Sequence, residues 1–352
     1  MPRGRLLALA ASLLLASCAP RYQPPGPAGL EGRLLAPELV DGADGERFQT
    51  ADGRSLPLRS WWPIDAQAAR PRAVIAALHG MNDYGNAFAA PAAAFARRGV
   101  VTYAPDQRGF GAGPLPGLWP GIDLLASDIR ALARLLRARH PNVPLYLLGE
   151  SMGGAVSLVA LASAEPPDVD GAILVGPAVW GRAFMPRWQA AALDIAVSTL
   201  PWVSLAPQGL NIKPSDNLPM LRAFARDPLV IKETRIDAIA GLVDLMDAAI
   251  AAAPRVAQPL LLLYGERDEL VPRGPTIRLI ETLPAVAGTS PRQRVAIYPD
   301  GYHMLLRDER SKTPIADILA WIEDPAGVLP SGADRRGDPV EILKRPPPRR
   351  GW

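Results

Sequence analysis

The sequence predicts an α/β fold: a mostly parallel sheet covered by helices on both faces, with a helical segment inserted late in the chain. Three observations predict it. Short, continuously apolar, β-branched runs recur along the chain, as expected of strands buried on both faces. Amphipathic stretches alternate with them, which is the pattern of crossover connections. One long helix-rich stretch, 178–254, interrupts the alternation and is too long for a loop.

The elements follow in order. "AVIAALHG" (Ala73–Gly80) reads as a strand ending in a glycine turn, and "VVTYAPD" (Val100–Asp106) as the next. Counting two earlier strands, these are the third and fourth. "IDLLASDIRALARLLRARH" carries Leu125, Ile129, Leu132 and Leu136 at helical spacing and stops at Pro141-Asn142. "VPLYLLGES" is a strand followed at once by the helix "MGGAVSLVALASA". "GAILVGPA" and "PLLLLYGERD" are further buried strands, "RVAIYPDG" is the last, and "PIADILAWIED" is the final helix. The inserted segment is expected to be a cap following the sixth strand. Its Trp180, Phe184, Met185, Trp188, Leu200 and Trp202 are expected to line an acyl channel, meet a lipid surface or form the cap's own core.

Composition narrows the function. Hydrophobic residues make up 49% and charged residues 21%, enough to build a core. The net charge of +3 gives no basic footprint for a nucleic acid. One cysteine excludes an internal disulfide and argues against a cysteine zinc site, and no cluster of metal ligands is visible. "GFGAGP" fails as a dinucleotide fingerprint because its third glycine would fall at Pro114. No cofactor and no metal are expected.

"GESMGG" sets Ser151 between Gly149 and Gly153, directly between a strand and a helix. There the glycines permit a sharp turn that raises the hydroxyl above the sheet edge. The helix starting at Met152 then aims its N-terminal amides at developing negative charge. A serine hydroxyl needs a general base, and only His79, His140 and His303 are available. His140, at a helix end, is the weakest of them.

With these residues the chain resembles α/β-hydrolases of the monoacylglycerol lipase and lysophospholipase type, over roughly 45–324. The resemblance is carried by "ALHGMNDYG", "YAPDQRGFGAG", "HPNVPLYLLGESMGG", "LLYGERDELVP" and "GYHMLLRD", in the family's order, and by "AFARDPLV" in the cap. The family usually has histidines where Glu150 and Gln107 stand; neither is a triad position. The resemblance implies a serine, acid, histidine order along the chain. Only His303 follows Ser151, so it becomes the base. "GERDELVP" offers Glu266, Asp268 and Glu269, and the family's Gly-x-x-Asp pattern selects Asp268, with Asp300 the runner-up. The implied oxyanion hole is the backbone N–H of Met152 with that of Met81, while His79 supports the Met81 loop. Asp106 and Arg108 are expected to brace loops around the pocket.

The expected activity is hydrolysis of carboxylic esters, single-chain lipid esters such as monoacylglycerols or lysophospholipids, through an acyl-enzyme on Ser151. The alternatives are an aminopeptidase-like serine hydrolase, or a non-catalytic envelope lipoprotein that keeps the fold. Both ends carry further expectations. Residues 1–17 have Arg3 and Arg5 before a short apolar stretch, the layout of a signal peptide. "LASC" resembles a lipoprotein lipobox, which implies cleavage before Cys18, its lipidation and a membrane anchor. Ala19 follows it in place of an inner-membrane retention Asp, which favours the outer membrane. Residues 18–44 are expected to be a tether, 45–177 and 255–324 the hydrolase core, and 178–254 the cap. Residues 325–352, with six prolines and four glycines, are expected to be a disordered tail.

Overall fold

The computed structural model describes residues 19–63, 70–206, 212–284 and 293–346. The expected signal segment and Cys18 lie outside them. A short helix α1 (Pro27–Leu30) leads into an antiparallel meander of β1 (Glu38–Gly42), β2 (Gly45–Gln49) and β3 (Ser55–Trp61). The alternation then runs β4 (Ala73–Leu78), α2 (Ala89–Ala96), β5 (Val100–Pro105), α3 (Ile122–Arg139), β6 (Leu145–Glu150), α4 (Met152–Leu161) and β7 (Gly171–Val175). The inserted stretch holds α5 (Arg187–Thr199), β8 (Ser204–Leu205), α6 (Leu218–Arg226), β9 (Thr234–Arg235) and α7 (Ile236–Ala252). The core resumes with β10 (Leu260–Gly265), α8 (Arg273–Thr282), β11 (Gln293–Tyr298), α9 (Lys312–Glu323) and α10 (Pro339–Lys344).

The main sheet has the order β1-β2-β3-β5-β4-β6-β7-β10-β11, parallel from β5 onward. Side chains alternate between two cores. Val74, Ala76 and Leu78 join Leu132, Val156 and Leu245, while Ala73, Ile75 and Ala77 join Phe88, Phe95 and Trp321. Leu260 to Leu263 are wholly buried. Each contributes about 1.5–3 kcal/mol relative to exposure, which is why such runs settle at a sheet centre.

Four expectations are corrected. Three strands precede Ala73, so the inserted segment follows the seventh strand; the meander's half-exposed strands lack the apolar continuity that marks the centre. From residue 19 on, the expected tether is a docked strap. Gln23 is buried, and its side-chain amide donates to the carbonyls of Pro114 (3.1 Å), Leu115 (3.2 Å) and Leu118 (3.0 Å). Proline fixes φ in advance, so docking such a strap loses little chain entropy. The exposed cap ends near residue 235. Helix α7 buries Ala238, Val243, Leu245 and Ala249 and packs on α4, so it belongs to the core. Gly241 permits this, since a Cβ there would sit 2.4 Å from the Trp119 ring. The tail is ordered through residue 346. Of its apolar side chains Leu329, Ala333, Ile342 and Leu343 are buried while Val328 stays exposed, and Asp338 caps α10 by accepting from Val340 N–H at 2.8 Å. Composition counted too few apolar residues for a core of its own, but the tail borrows one.

Candidate active site

Ser151 occupies the sharp turn between β6 and α4, with φ 53° and ψ −115°. A positive φ at a non-glycine residue stores on the order of 1–3 kcal/mol, held by its surroundings. Ser151 N–H donates to Val175 O (3.0 Å), and Ser151 O accepts from Gly154, Ala155 and Ala178. The flanking glycines are obligatory. A Cβ on Gly153 would lie 2.1 Å from Leu78 O, and one on Gly149 would lie 2.4 Å from Gly153 O. The backbone is thus locked, and the hydroxyl stands partly exposed at the C-terminal edge of the sheet.

His303 lies in the loop after β11 and is 5% exposed. Its Nδ1 is 2.8 Å from Asp268 Oδ2, while Asp268 Oδ1 accepts from Leu270 N–H (2.8 Å) and Val271 N–H (2.9 Å). The carboxylate therefore fixes the tautomer with hydrogen on Nδ1 and a lone pair on Nε2. Burial alone would push the imidazole down, but the Asp268 charge overcomes it and the pKa stands above its ordinary 6.5. Gly176 brings the parts together. A Cβ there would be 3.3 Å from Asp268 Oδ2 and 3.4 Å from His303 Nδ1, and the preceding carbonyl, Val175 O, holds Ser151. Asp300 is engaged elsewhere, by Arg267 at 2.6 Å and by Arg310.

Gly80 abuts the serine, since its Cβ would lie 3.3 Å from Ser151 Cβ. The Met81 N–H that follows has no hydrogen-bond partner among the described residues, and Met152 N–H opens α4. Helix-opening amides have no intrahelical acceptor, so both groups are free to meet an oxyanion. His79 is fully used as a brace: Nδ1 meets Gly80 O at 2.8 Å and Nε2 accepts from Gln107 N–H at 3.0 Å. Burial pushes its pKa down, keeping it neutral. His140 lies away from this cluster, bonded to Tyr103. Asp106 receives Gly85 N–H and Ala112 N–H at 3.0 Å each, and Arg108 is forked between Asp52 and Asp128.

One element escaped sequence reasoning. Arg307 donates to Asp83 Oδ2 at 2.7 Å and to Glu150 Oε1 at 3.0 Å, with all three side chains buried. It joins the loop of His303, the residue before Ser151 and the loop of Met81. Glu150 in place of the family's histidine was the one signal, and it did not name a partner. Trp188 and Trp202 depart from a channel wall or a cap core, while Trp180, Phe184 and Met185 are half-buried. Trp188 is 70% and Trp202 44% exposed, and α5 buries no side chain. A small cavity beside the oxyanion loop is lined instead by Met81, Phe110, Leu118, Trp119, Ile231 and Ala238, with Glu233 also at its wall. Among the described residues no group of three His, Cys, Asp or Glu is placed to hold a metal ion.

With this geometry in view, known proteins align. A family model described as serine aminopeptidase, S33 (Hydrolase_4) matches residues 69–310. A monoacylglycerol lipase of Mycolicibacterium smegmatis is 25% identical over 72% of this chain and 88% of its own. A monoglyceride lipase of Rattus norvegicus is 26% identical over 81% of this chain and 92% of its own. A soluble variant of the Saccharomyces cerevisiae monoglyceride lipase, solved with a substrate analogue, superposes with a TM-score of 0.65. The two share 19% identity over 83% of this chain and 97% of the yeast chain. The sheet order, the helices on both faces and these superpositions make the architecture an α/β-hydrolase fold.

Proposed function

The chain belongs to the Hydrolase_4 family of serine aminopeptidases, S33, and from that premise we propose that it hydrolyses carboxylic esters of single-chain lipids through an acyl-enzyme on Ser151. The observation that carries the reading is the Asp268–His303 pair converging with the strained Ser151 turn on the end of β7. His303 Nε2 takes the proton as Ser151 Oγ attacks the ester carbonyl. The N–H groups of Met81 and Met152 hold the oxyanion, a contribution that typically changes turnover by 10²–10³ per donor. Collapse expels the alcohol with the proton from His303 and leaves the acyl group on Ser151. Water, deprotonated by His303, then releases the carboxylic acid. Monoacylglycerol is the leading substrate because the aligned relatives carry that name; lysophospholipid has the same single-chain ester.

A fluorophosphonate probe should label Ser151 alone, and an ester panel of varied acyl length should be turned over by wild type and not by Ser151→Ala. Labelling that persists in that variant would remove the assignment. The family's description favours one other reading, an aminopeptidase. Such an enzyme needs an anion for the substrate's ammonium, and Glu233 on the cavity wall is the candidate. Hydrolysis of a peptide amide, lost in Glu233→Gln while esters survive, would select it.

The anchoring reading is also a proposal: Cys18 carries lipid and holds the enzyme on the outer membrane. Each buried acyl CH₂ contributes about 0.8 kcal/mol, so several chains hold firmly. Fatty-acid labelling lost in Cys18→Ala is the expected result; an unlabelled soluble wild type would leave plain secretion.

A further inference from the structure

Beyond α9 the described chain continues from 325 to 346 and wraps the edge of the sheet. Leu329 and Ala333 join the core of one face, with Ile318 and Trp321, while Ile342 and Leu343 join the core of the other. Between them the tail meets β11, the last strand of the sheet, where Ile297 N–H donates to Ala333 O at 3.1 Å. Arg294 donates to Pro325 O at 3.0 Å and pairs with Asp334, and Asp317 of α9 accepts from Ser331 N–H at 3.0 Å. These contacts dock the tail without any part of the triad.

A further contact reaches the supports of the triad. β10 ends just before the turn that bears Asp268, and β11 just before the loop that bears His303. Turn and loop are laced together by Glu266 N–H to Tyr298 O and Arg267 N–H to Gly301 O, both 2.9 Å. The tail adds a clip from outside. Arg336 Nη1 donates to Glu266 Oε1 at 2.7 Å and to Ile297 O at 3.1 Å, so one nitrogen spans the two strand ends. Glu266 is 8% exposed, and a carboxylate so placed needs its charged partners. Arg273 is the other one: it donates to Glu266 O at 2.7 Å and is itself fixed on the tail through Arg345 O at 2.8 Å. Asp268, two residues on, orients the imidazole through a single 2.8 Å bond to His303 Nδ1. A misplacement of about 1 Å in such a constellation lowers turnover by on the order of 10².

We propose that Arg336 is a positioning residue for the triad: by clipping Glu266 to the end of β11 it sets Asp268 against His303, so the C-terminal tail belongs to the catalytic apparatus. The proposal rests on the ester-hydrolase reading of Ser151 and adds a remote residue on which its turnover depends. Arg336 is half-exposed, and an ion pair of that kind contributes little to stability. Its removal therefore separates positioning from folding.

The test uses the full chain with Arg336→Gln, Glu266→Gln, the two together, Arg336→Lys, and Arg335→Gln on the exposed neighbouring residue. Two readings are taken: kcat and KM on a dissolved short ester, and the far-downfield proton resonance of the Asp268–His303 hydrogen bond. Each glutamine variant at 336 or 266 should lower kcat by about 10–100-fold with KM unchanged, and should weaken or move the resonance. The double variant should lose no more than the worse single, because both remove one clip. Arg336→Lys, which keeps a charged donor for Glu266, should regain most of kcat, and Arg335→Gln should match wild type on both readings. Wild-type kcat with an unmoved resonance in both single variants overturns the proposal, as do losses that multiply in the double or a change confined to KM. Should Arg336→Gln fail to fold, Glu266→Gln and Arg336→Lys carry the same readings. If wild type cleaves no ester, the ester reading falls and the resonance alone decides: its change in Arg336→Gln upholds the clip, and its persistence removes it.

Discussion

The surroundings of Ser151 and the face of α5 invert the ordinary partition of side chains in opposite ways. Around the serine, charged and polar groups are buried: Glu150, Arg307, Asp83, His303 and Asp268. On α5 and the ribbon after it, tryptophan, isoleucine and leucine face water. An exposed leucine alone says little, whereas buried charge and a cluster of exposed apolar residues each carry information. In the first region the desolvation penalty is offset by close pairing, which makes the site rigid and intolerant of losing one partner. In the second, among the described residues, nothing covers Trp188, Ile195 or Trp202. Buried pairing fixes the geometry of the first region, and the second leaves its side chains free of that constraint.

The predictions break that contrast at successively smaller cost. Ser151→Ala or His303→Ala should lower ester kcat by on the order of 10⁶ with the fold intact, while His140→Ala keeps most turnover. Single-turnover kinetics with folding checked by circular dichroism decides it. Asp268→Asn should lower kcat by about 10⁴, since the imidazole loses its tautomer. Arg307→Met leaves Glu150 and Asp83 buried without a counter-charge and should destabilise by about 3–5 kcal/mol. Adding Glu150→Gln and Asp83→Asn should recover most of it, read from denaturant midpoints. A triple variant no better than the single would mean that the clamp acts by packing.

The acid limb of kcat/KM sharpens the first region further. The reacting imidazole must be neutral, and its pKa is raised, so activity should fall as pH drops through a midpoint above 6.5. In residual Asp268→Asn activity the Asp268 charge is gone, and burial should carry that midpoint down. A limb that stays in place would mean that His303 does not set it. The smallest effect belongs to the second region. Trp188→Ala and Trp202→Ala should change stability by no more than about 0.5 kcal/mol. Thermal melts that drop well beyond this would place those rings in the cap's packing.

The sequence alone carries the alternation of buried strands and helices, because runs such as Leu260–Leu263 report burial without knowing their neighbours. It also determined the Gly149–Ser151–Gly153 turn, whose steric demands are met within a few residues. It singled out His303, since so few histidines were available, and through the family's pattern it singled out Asp268. The rest depends on residues far apart in the chain. The link of Arg307 to Glu150 spans 157 positions and that to Asp83 spans 224. No local pattern encodes either partner. The same holds at the two ends, read as tether and tail from their prolines, where single buried anchors such as Gln23 and Leu343 bind them to the core. Composition measures whether a segment can fold alone. It does not measure whether a folded neighbour offers a place to dock, and that is why α7 joined the core while α5, equally helical in sequence, stayed outside it.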